Sequence, residues 1–163
     1  MSNLLVQNIK HTNGTTAQTI DSAGRVEYPA RPVFRAHRTD GNVDATNNYI
    51  CNVANLNVGS HYSTSTGKFT CPITGLYFIY ANILSNDNQT NNDLTLYLNG
   101  TSASDIQVRA RVDNGGNSNS HGTANINFVE TFSANDEVFL RVTAGSFYGI
   151  DKNWWQFGGY LLG

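Results

Sequence analysis

Apolar and polar residues alternate through most of the chain, and a period of two predicts β-strands. Clear examples are residues 94–98, 124–128 and 138–142, where apolar side chains stand two positions apart. Turn-forming pairs such as Asn99-Gly100 separate these segments, and no segment has a helical period. The pattern predicts about eight short strands in a β-sandwich or jelly roll. The last strand, residues 157–162, is too apolar for a free edge and is expected at the centre of a sheet or in an interface.

One stretch, residues 67–84, differs from the others because its apolar run is continuous after an initial turn. Turn residues bound the run, so a strand is expected rather than a helix. The strand has two apolar faces, which consist of Leu76, Phe78 and Tyr80 and of Tyr77, Ile79 and Ala81. One face can fill the core of a sandwich. The other face needs separate cover, most simply from a second copy of the chain.

Two prolines, Pro29 and Pro32, predict a stiff extended linker, because each fixes its own φ and disfavours helix in the residue before it. We place a domain boundary here, with an N-terminal leader and linker at residues 1–31 and a head at residues 32–163. The leader proper, residues 1–28, contains two or three short strand pieces with too few apolar residues for a core of its own. We therefore expect the leader to dock on another copy or on a larger assembly.

Composition and charge exclude several partners. The 163 residues include only 13% charged residues, and the net charge is −2. No basic stripe is present to hold phosphates, so nucleic acid is not an expected partner. No stretch is long and apolar enough to insert into a membrane. Residues 1–8 lack the features of a signal peptide, so the protein is expected to stay where it is made or to leave by another route.

The residues that carry chemistry are scattered. The four histidines (His11, His37, His61 and His121) occupy different segments without ligand-like spacing. No nucleophile elbow, phosphate-binding loop or zinc-helix motif is present. The sequence therefore predicts a protein that is not an enzyme. Cys51 and Cys71 could form a disulfide, but two separate buried thiols are the favoured interpretation.

Several spaced segments share one pattern: residues 62–72, 75–80 and 147–149, Trp155, and residues 157–163. This pattern resembles the globular head of complement C1q, a relative of the tumour necrosis factor jelly roll, and residues 34–36 fit the family's first strand. The chain departs from the family pattern at Ile79, where Phe is usual, and at Ala81, where an aromatic residue is usual. The resemblance covers Pro32 to Gly163. It implies a ten-stranded jelly roll that packs as a threefold trimer with aromatic faces around its axis.

This resemblance leads us to expect a homotrimer. The expected interface residues are Tyr77, Ile79, Phe128, Phe157 and Tyr160. A charge at Tyr77 should then separate the three copies, because an unpaired charge at an apolar contact is costly.

The leader resembles a different class of protein. Residues 8–26 are similar to a segment of bacteriophage tail-fibre and other structural proteins, where it precedes a trimeric head. That resemblance implies that residues 1–28 contact other virion proteins. It also implies a protein that is made in the host cytoplasm and carried on the virion surface.

Together these features predict a non-enzymatic phage virion protein, with a head at a tail-fibre or adhesin tip that recognises the host surface. A capsid decoration protein is the main alternative. A depolymerising enzyme and a secreted C1q-type protein are disfavoured, since the catalytic constellation and the signal peptide are missing.

Amide-rich loops and one tryptophan are the candidate contacts for a host glycan or protein. The candidates are Trp154, Asn88, Asn91, Asn114 and Asn117, whereas Trp155 is expected in the core. The loop 86–93 also offers oxygen ligands, so Asp87 and Asp93 are weak calcium candidates. A hydrated turn is the favoured interpretation of that loop, and no other cofactor is expected.

Overall fold

The computed structural model of the protein describes residues 6–86, 90–115, 120–150 and 155–163. The chain separates into two compact units, Met1–Arg31 and Pro32–Gly163. Within the described ranges the only helix is a 3₁₀ turn at Ala103–Asp105. No helix there has the length and apolar character needed to cross a bilayer.

The leader is a small antiparallel sheet of three strands, β1 (Asn8–Lys10), β2 (Thr16–Ile20) and β3 (Val26–Glu27). Its second turn is held by Asp21, whose Oδ1 accepts hydrogen bonds from two backbone N–H groups, at Ala23 and Arg25. The backbone hydrogen bonds and the Arg25 guanidinium lower the pKa of Asp21. Local hydrogen bonds therefore shape the turns of a sheet that has little apolar core.

Eleven strands lie within the described residues of the head. They are β4 (Val33–His37), β5 (Val43–Asp44), β6 (Val53–Val58), β7 (Lys68–Thr70), β8 (Gly75–Leu84), β9 (Asn92–Leu98), β10 (Ile106–Val112), β11 (Thr123–Phe132), β12 (Glu137–Ala144), β13 (Ser146–Phe147) and β14 (Trp155–Leu161). One sheet has five strands in the order β11-β8-β14-β4-β6, and the other has four in the order β10-β9-β12-β7. β5 and β13 form a separate pair. All pairs are antiparallel, and the arrangement is a jelly-roll sandwich.

The expected central position of the last strand is confirmed, since β14 lies between β8 and β4. Residues 67–84, the stretch with the continuous apolar run, contribute strands to both sheets. Residues 68–70 form β7 in the four-stranded sheet, and the chain crosses through Pro72 to enter β8 in the five-stranded sheet. The crossing occurs at a proline, which cannot donate to a sheet ladder.

The core lies between the two sheets and is rich in aromatic rings. Phe34 stacks on Tyr62 and on Phe69, with ring centroids 4.9 and 4.6 Å apart. Phe157 meets Phe34 edge-on at 5.0 Å. The Tyr62 hydroxyl donates to the carbonyl of Cys51 at 3.0 Å, so the buried phenol is satisfied. This cluster joins strands of both sheets into one core.

Candidate functional site

The outward side of the five-stranded sheet is apolar and partly exposed. On its central strand β8, side chains alternate between the core and this outer side. Leu76 points outward and is 40% exposed, and Phe78 and Tyr80 are half-buried on the same side. Tyr160 on β14 stands opposite Phe78, with ring centroids 5.5 Å apart, and is 38% exposed. Phe78, Tyr80 and Tyr160 form a row of aromatic rings beside Leu76. Within the described residues, Leu76 and Tyr160 stay substantially exposed to solvent.

Neighbouring strands enlarge this apolar area. Val129 on β11 is paired with Phe78, and Val33 on β4 is paired with Tyr160. The residues that make up this surface, named here the outer aromatic face, are Val33, Val53, Leu56, Leu76, Phe78, Tyr80, Val129 and Tyr160. Val129 is more than half exposed. Arg35 on β4 lies on the same side, opposite Leu56 and Gly158. A largely apolar surface of this kind marks an interaction surface.

The ring of Tyr80 lies across a glycine of the next strand. A Cβ atom on Gly158 would stand 2.5 Å from Cζ and Oη of Tyr80, so only glycine leaves room for the ring in this position. Burial raises the pKa of Tyr80, whereas Arg35 lowers it and Tyr160 raises it. The phenol is therefore already partly removed from water within a single protomer.

The predicted interface residues need correction. Tyr77, Ile79 and Phe157 are fully buried inside the protomer and contact the sandwich core, so they cannot meet a second copy. Phe128 is opposite Ile79, points to the same inner side and packs against the core. Tyr160 alone among the five lies on the outer side. Tyr77 and Ile79, which were assigned to the interface, thus belong to the face of β8 that fills the protomer's own core, and Leu76, Phe78 and Tyr80 form the opposite face.

The outer face changes character along the strands. Asn125, Asn82 and Gln156 are direct neighbours on β11, β8 and β14, and all three are exposed. His37 is buried on β4, and its Nδ1 and Asn55 Oδ1 are 2.6 Å apart. One end of the sheet surface is thus aromatic, and the other carries amides.

The predicted ligand contacts separate into three groups. Asn114 is buried and donates from Nδ2 to Ser85 Oγ at 2.9 Å and to the carbonyl of Asn86 at 3.0 Å, so its role is structural. Asn91 is exposed and stays a prediction. Trp154, Asn88 and Asn117 lie outside the described residues. Trp155 is buried as expected, and its Nε1 donates to the carbonyl of Arg38.

The calcium prediction also changes. The carboxylate of Asp93 is 4% exposed and accepts two hydrogen bonds of 2.7 Å from Arg111. Hydrogen bonds from Arg111 lower the pKa of Asp93 despite its burial, and Arg109 adds to this effect. A carboxylate held in this way is a buried ion-pair partner, so the role of Asp93 as a calcium ligand is not supported. Asp87 lies outside the described residues.

The two cysteines and the potential metal-ligating side chains bear on two of the sequence predictions. Cys51 and Cys71 are separate, buried thiols, as favoured from the sequence. Burial raises the pKa of each to about 12, so neither is a thiolate at neutral pH. Among the described residues, no group of three His, Cys, Asp or Glu side chains is arranged to hold a metal.

Sequence reasoning missed a second surface, on the outward side of the four-stranded sheet. Tyr97 and Phe139 are paired there and stacked at 5.8 Å, yet they are only 5% and 2% exposed. Lys68 covers Phe139, with Nζ 5.3 Å from the ring centroid. The alternation of arginines at 109 and 111 was visible in the sequence, but their neighbours on other strands were not.

Comparisons with known proteins agree with this fold. Caprin-2 of Danio rerio is 32% identical over 106 residues, which are 65% of this chain and 11% of that protein. Complement C1q tumor necrosis factor-related protein 3 of Homo sapiens is 24% identical over 106 residues, which are 65% of this chain and 41% of the relative. The matched segment therefore spans less than half the length of each of these relatives.

Solved structures with the same fold include the globular domain of zebrafish complement 1qA protein, with a TM-score of 0.66 at 18% identity over 82% of this chain and 98% of that one. Eiger TNF from S. frugiperda gives a TM-score of 0.67 at 16% identity, covering 82% and 94%. Murine APRIL at pH 5.0 gives 0.66 at 13%, covering 81% and 99%.

The sequence profile of the C1q domain matches residues 33–162, which are nearly the whole of the described sandwich. The two-sheet jelly roll and its structural neighbours agree with that match. The chain therefore belongs to the C1q domain family.

Proposed function

We propose that the chain is a non-enzymatic binding or structural protein that assembles as a homotrimer through its outer aromatic face. The observation that carries this proposal is the outward row of Leu76, Phe78 and Tyr160, of which Leu76 and Tyr160 are exposed and Phe78 is half-buried. Closed rotational symmetry can cover such a face on every copy. Trimers are typical of the C1q family, and its domains are generally non-enzymatic binding or structural modules.

The mass of the full-length protein in solution tests the assembly. Light scattering at micromolar concentration should give three times the 17.8 kDa of one chain. A folded monomer under these conditions would contradict the proposed trimer, because the aromatic face would then be stable in water.

We further propose that the trimer is the head of a phage virion protein on the virion surface, where it recognises the host at a tail-fibre or adhesin tip. The resemblance of residues 8–26 to phage structural proteins supports this role. The leader also exposes Ile9, Val26 and Tyr28, each by about half, on a sheet of only three strands. Such a sheet gains stability by docking on other virion proteins.

Deletion of residues 1–28 tests the anchor. The shortened chain should stay a folded trimer but be absent from purified particles, because the docking sheet is gone. Its incorporation at the normal level would contradict an anchoring role for the leader.

Imaging of virions that carry a labelled full-length protein tests the location. Labels at the tail tip would support host attachment, and labels over the shell would favour capsid decoration instead. Absence of the protein from particles would overturn both.

A further inference from the structure

The outward side of the four-stranded sheet carries more positive than negative side chains, in a chain whose net charge is −2. Cross-strand pairing brings four cations and two carboxylates together there. They are Lys68, Arg109, Arg111 and Arg141, and Asp93 and Glu137. This group is named here the basic face.

Both carboxylates of the basic face are already neutralised. Arg111 binds Asp93 with two hydrogen bonds, and Lys68 Nζ is 2.6 Å from Glu137 Oε2. These two pairs cancel their own charges. The charges that attract a ligand are therefore those of the two remaining arginines.

Arg109 and Arg141 make only weak polar contacts with their own chain. Arg109 Nη1 is 3.9 Å from Asp93 Oδ2, too far for a hydrogen bond, and its side chain is 44% exposed. Arg141 donates one long bond, 3.3 Å, to the neutral Asn48 Oδ1. Across the described residues, neither guanidinium is hydrogen-bonded to a carboxylate.

The two arginines stand in one row of the sheet. Arg109 on β10 is opposite Thr95 on β9, and Thr95 is opposite Arg141 on β12. Their Cα atoms are two strand spacings apart, about 10 Å. Thr95 between them is short and fully buried, with its hydroxyl 2.8 Å from that of Thr143. Thr95 itself therefore offers no surface to a ligand, and the accessible groups of this row are the side chains of Arg109, which is exposed, and Arg141, which is half-buried.

We propose that Arg109 and Arg141 bind the carboxylates of an acidic polysaccharide. A guanidinium presents a planar fork that matches a carboxylate, and Arg111 shows this geometry with Asp93 on the same surface. Backbone positions two strand spacings apart let the two arginines contact separate carboxylates of one repeating polymer. This assignment rests on the proposed role in host-surface recognition and names the ligand class for it.

The basic face and the outer aromatic face are on opposite layers of the sandwich. In the proposed trimer, where the aromatic faces meet, each basic face points away from the axis. Three separate sites on one particle then bind a repeating polymer with avidity.

Binding of the full-length protein to immobilised polygalacturonate at low salt tests the site, with neutral dextran and inorganic polyphosphate as comparison polymers. Arg109→Gln and Arg141→Gln should each weaken binding to polygalacturonate, and the double variant should weaken it about tenfold or more. Lys10→Gln removes the same charge from the leader and should bind as the unmodified protein does. A variant with Arg109→Lys and Arg141→Lys should bind less well than the unmodified protein, because lysine lacks the fork.

Equal binding of all variants, no preference over dextran, or tighter binding to polyphosphate would overturn the assignment. Light scattering on the same samples separates this result from the assembly proposal. If the protein is a monomer whose binding depends on the two arginines, the binding site is supported and the trimer is contradicted. If the protein is a trimer whose binding does not change in either arginine variant, the assembly is supported and the binding site is contradicted.

Discussion

Each of the two outer surfaces of the sandwich carries a pair of neighbouring aromatic residues, but the two pairs differ in how much of their surface is exposed to solvent. On the four-stranded sheet, Tyr97 and Phe139 are almost fully covered, and Lys68 lies over one of the rings. On the five-stranded sheet, Phe78 and Tyr160 are in contact, yet Tyr160 keeps 38% of its surface exposed. The aliphatic stems of long basic side chains make the first surface compatible with water. On the second surface Arg35 lies near Tyr80, but among the described residues no basic side chain lies over the ring of Phe78 or Tyr160.

In the proposals above, this difference corresponds to two roles within one domain. Aromatic rings that their own chain covers stabilise a surface that can face solvent and charged ligands. Rings that stay uncovered indicate a surface completed by another copy. Composition alone does not distinguish the two cases, because both surfaces are built from aromatic residues on alternating strands.

The largest expected effect is at the inner side of β8. Tyr77→Asp should destabilise the protomer by about 4 kcal/mol or more, because it places a carboxylate among Phe69 and Phe132 in a dry core. Urea unfolding followed by circular dichroism measures the loss. If the variant is folded but monomeric, we would conclude instead that Tyr77 lies in the trimer interface.

Phe78→Asp, on the next residue of the same strand, should have a different result. We expect monomers that keep their circular dichroism spectrum, since the change is on the outer aromatic face and not in the core. Light scattering measures the mass. Thr64→Asp, in an exposed turn, is the charge-matched control and should stay trimeric. An intact trimer of the Phe78 variant would mean that this face is not the contact.

On the basic face, Asp93→Asn should destabilise the protein by roughly 1–3 kcal/mol at neutral pH, because a buried charge-assisted pair is lost. Arg111 lowers the pKa of Asp93, so its contribution is complete above the ordinary value of 3.8 and disappears as the pH falls through the lower folded-state pKa. Urea unfolding of both proteins across this range should show the difference shrinking with acid. A difference that persists unchanged in acid would contradict the ion-pair account.

The smallest expected effect is at Gly158. Gly158→Ala should weaken the trimer by roughly 1 kcal/mol, since the added methyl group must turn the Tyr80 ring out of its place on the aromatic face. The trimer–monomer equilibrium, measured by sedimentation, should shift while protomer unfolding changes little. Gly163→Ala, where a Cβ meets open space, is the matched control. Equal effects of the two substitutions would count against the packing of Tyr80 in the interface.

Much of the fold follows from local pattern. The alternation at residues 94–98 and 138–142 predicted strands, and β9 and β12 include these residues. The apolar end of the chain predicted a central strand because a free edge would be open to aggregation. Each of these inferences depends only on neighbouring residues along the chain.

Neighbouring residues along the chain could not predict which side of β8 faces the core. Tyr77 and Phe78 are both large and aromatic, so the period of two separates them without saying which one points inward. Pairing of Phe78 with Tyr160 and of Tyr77 with Leu161 determines the answer, and it joins residues about eighty positions apart. Long-range contacts of the same kind bury Asn114 beside Ser85.

The separate thiols of Cys51 and Cys71 also have a practical consequence. Because no disulfide joins them, the folded head does not depend on a covalent cross-link between these two positions. Their raised pKa and burial shield both from alkylating dyes. A cysteine introduced at an exposed position such as Gln156 would then be the one site that takes a fluorophore, so distances between subunits become measurable in the native sequence background.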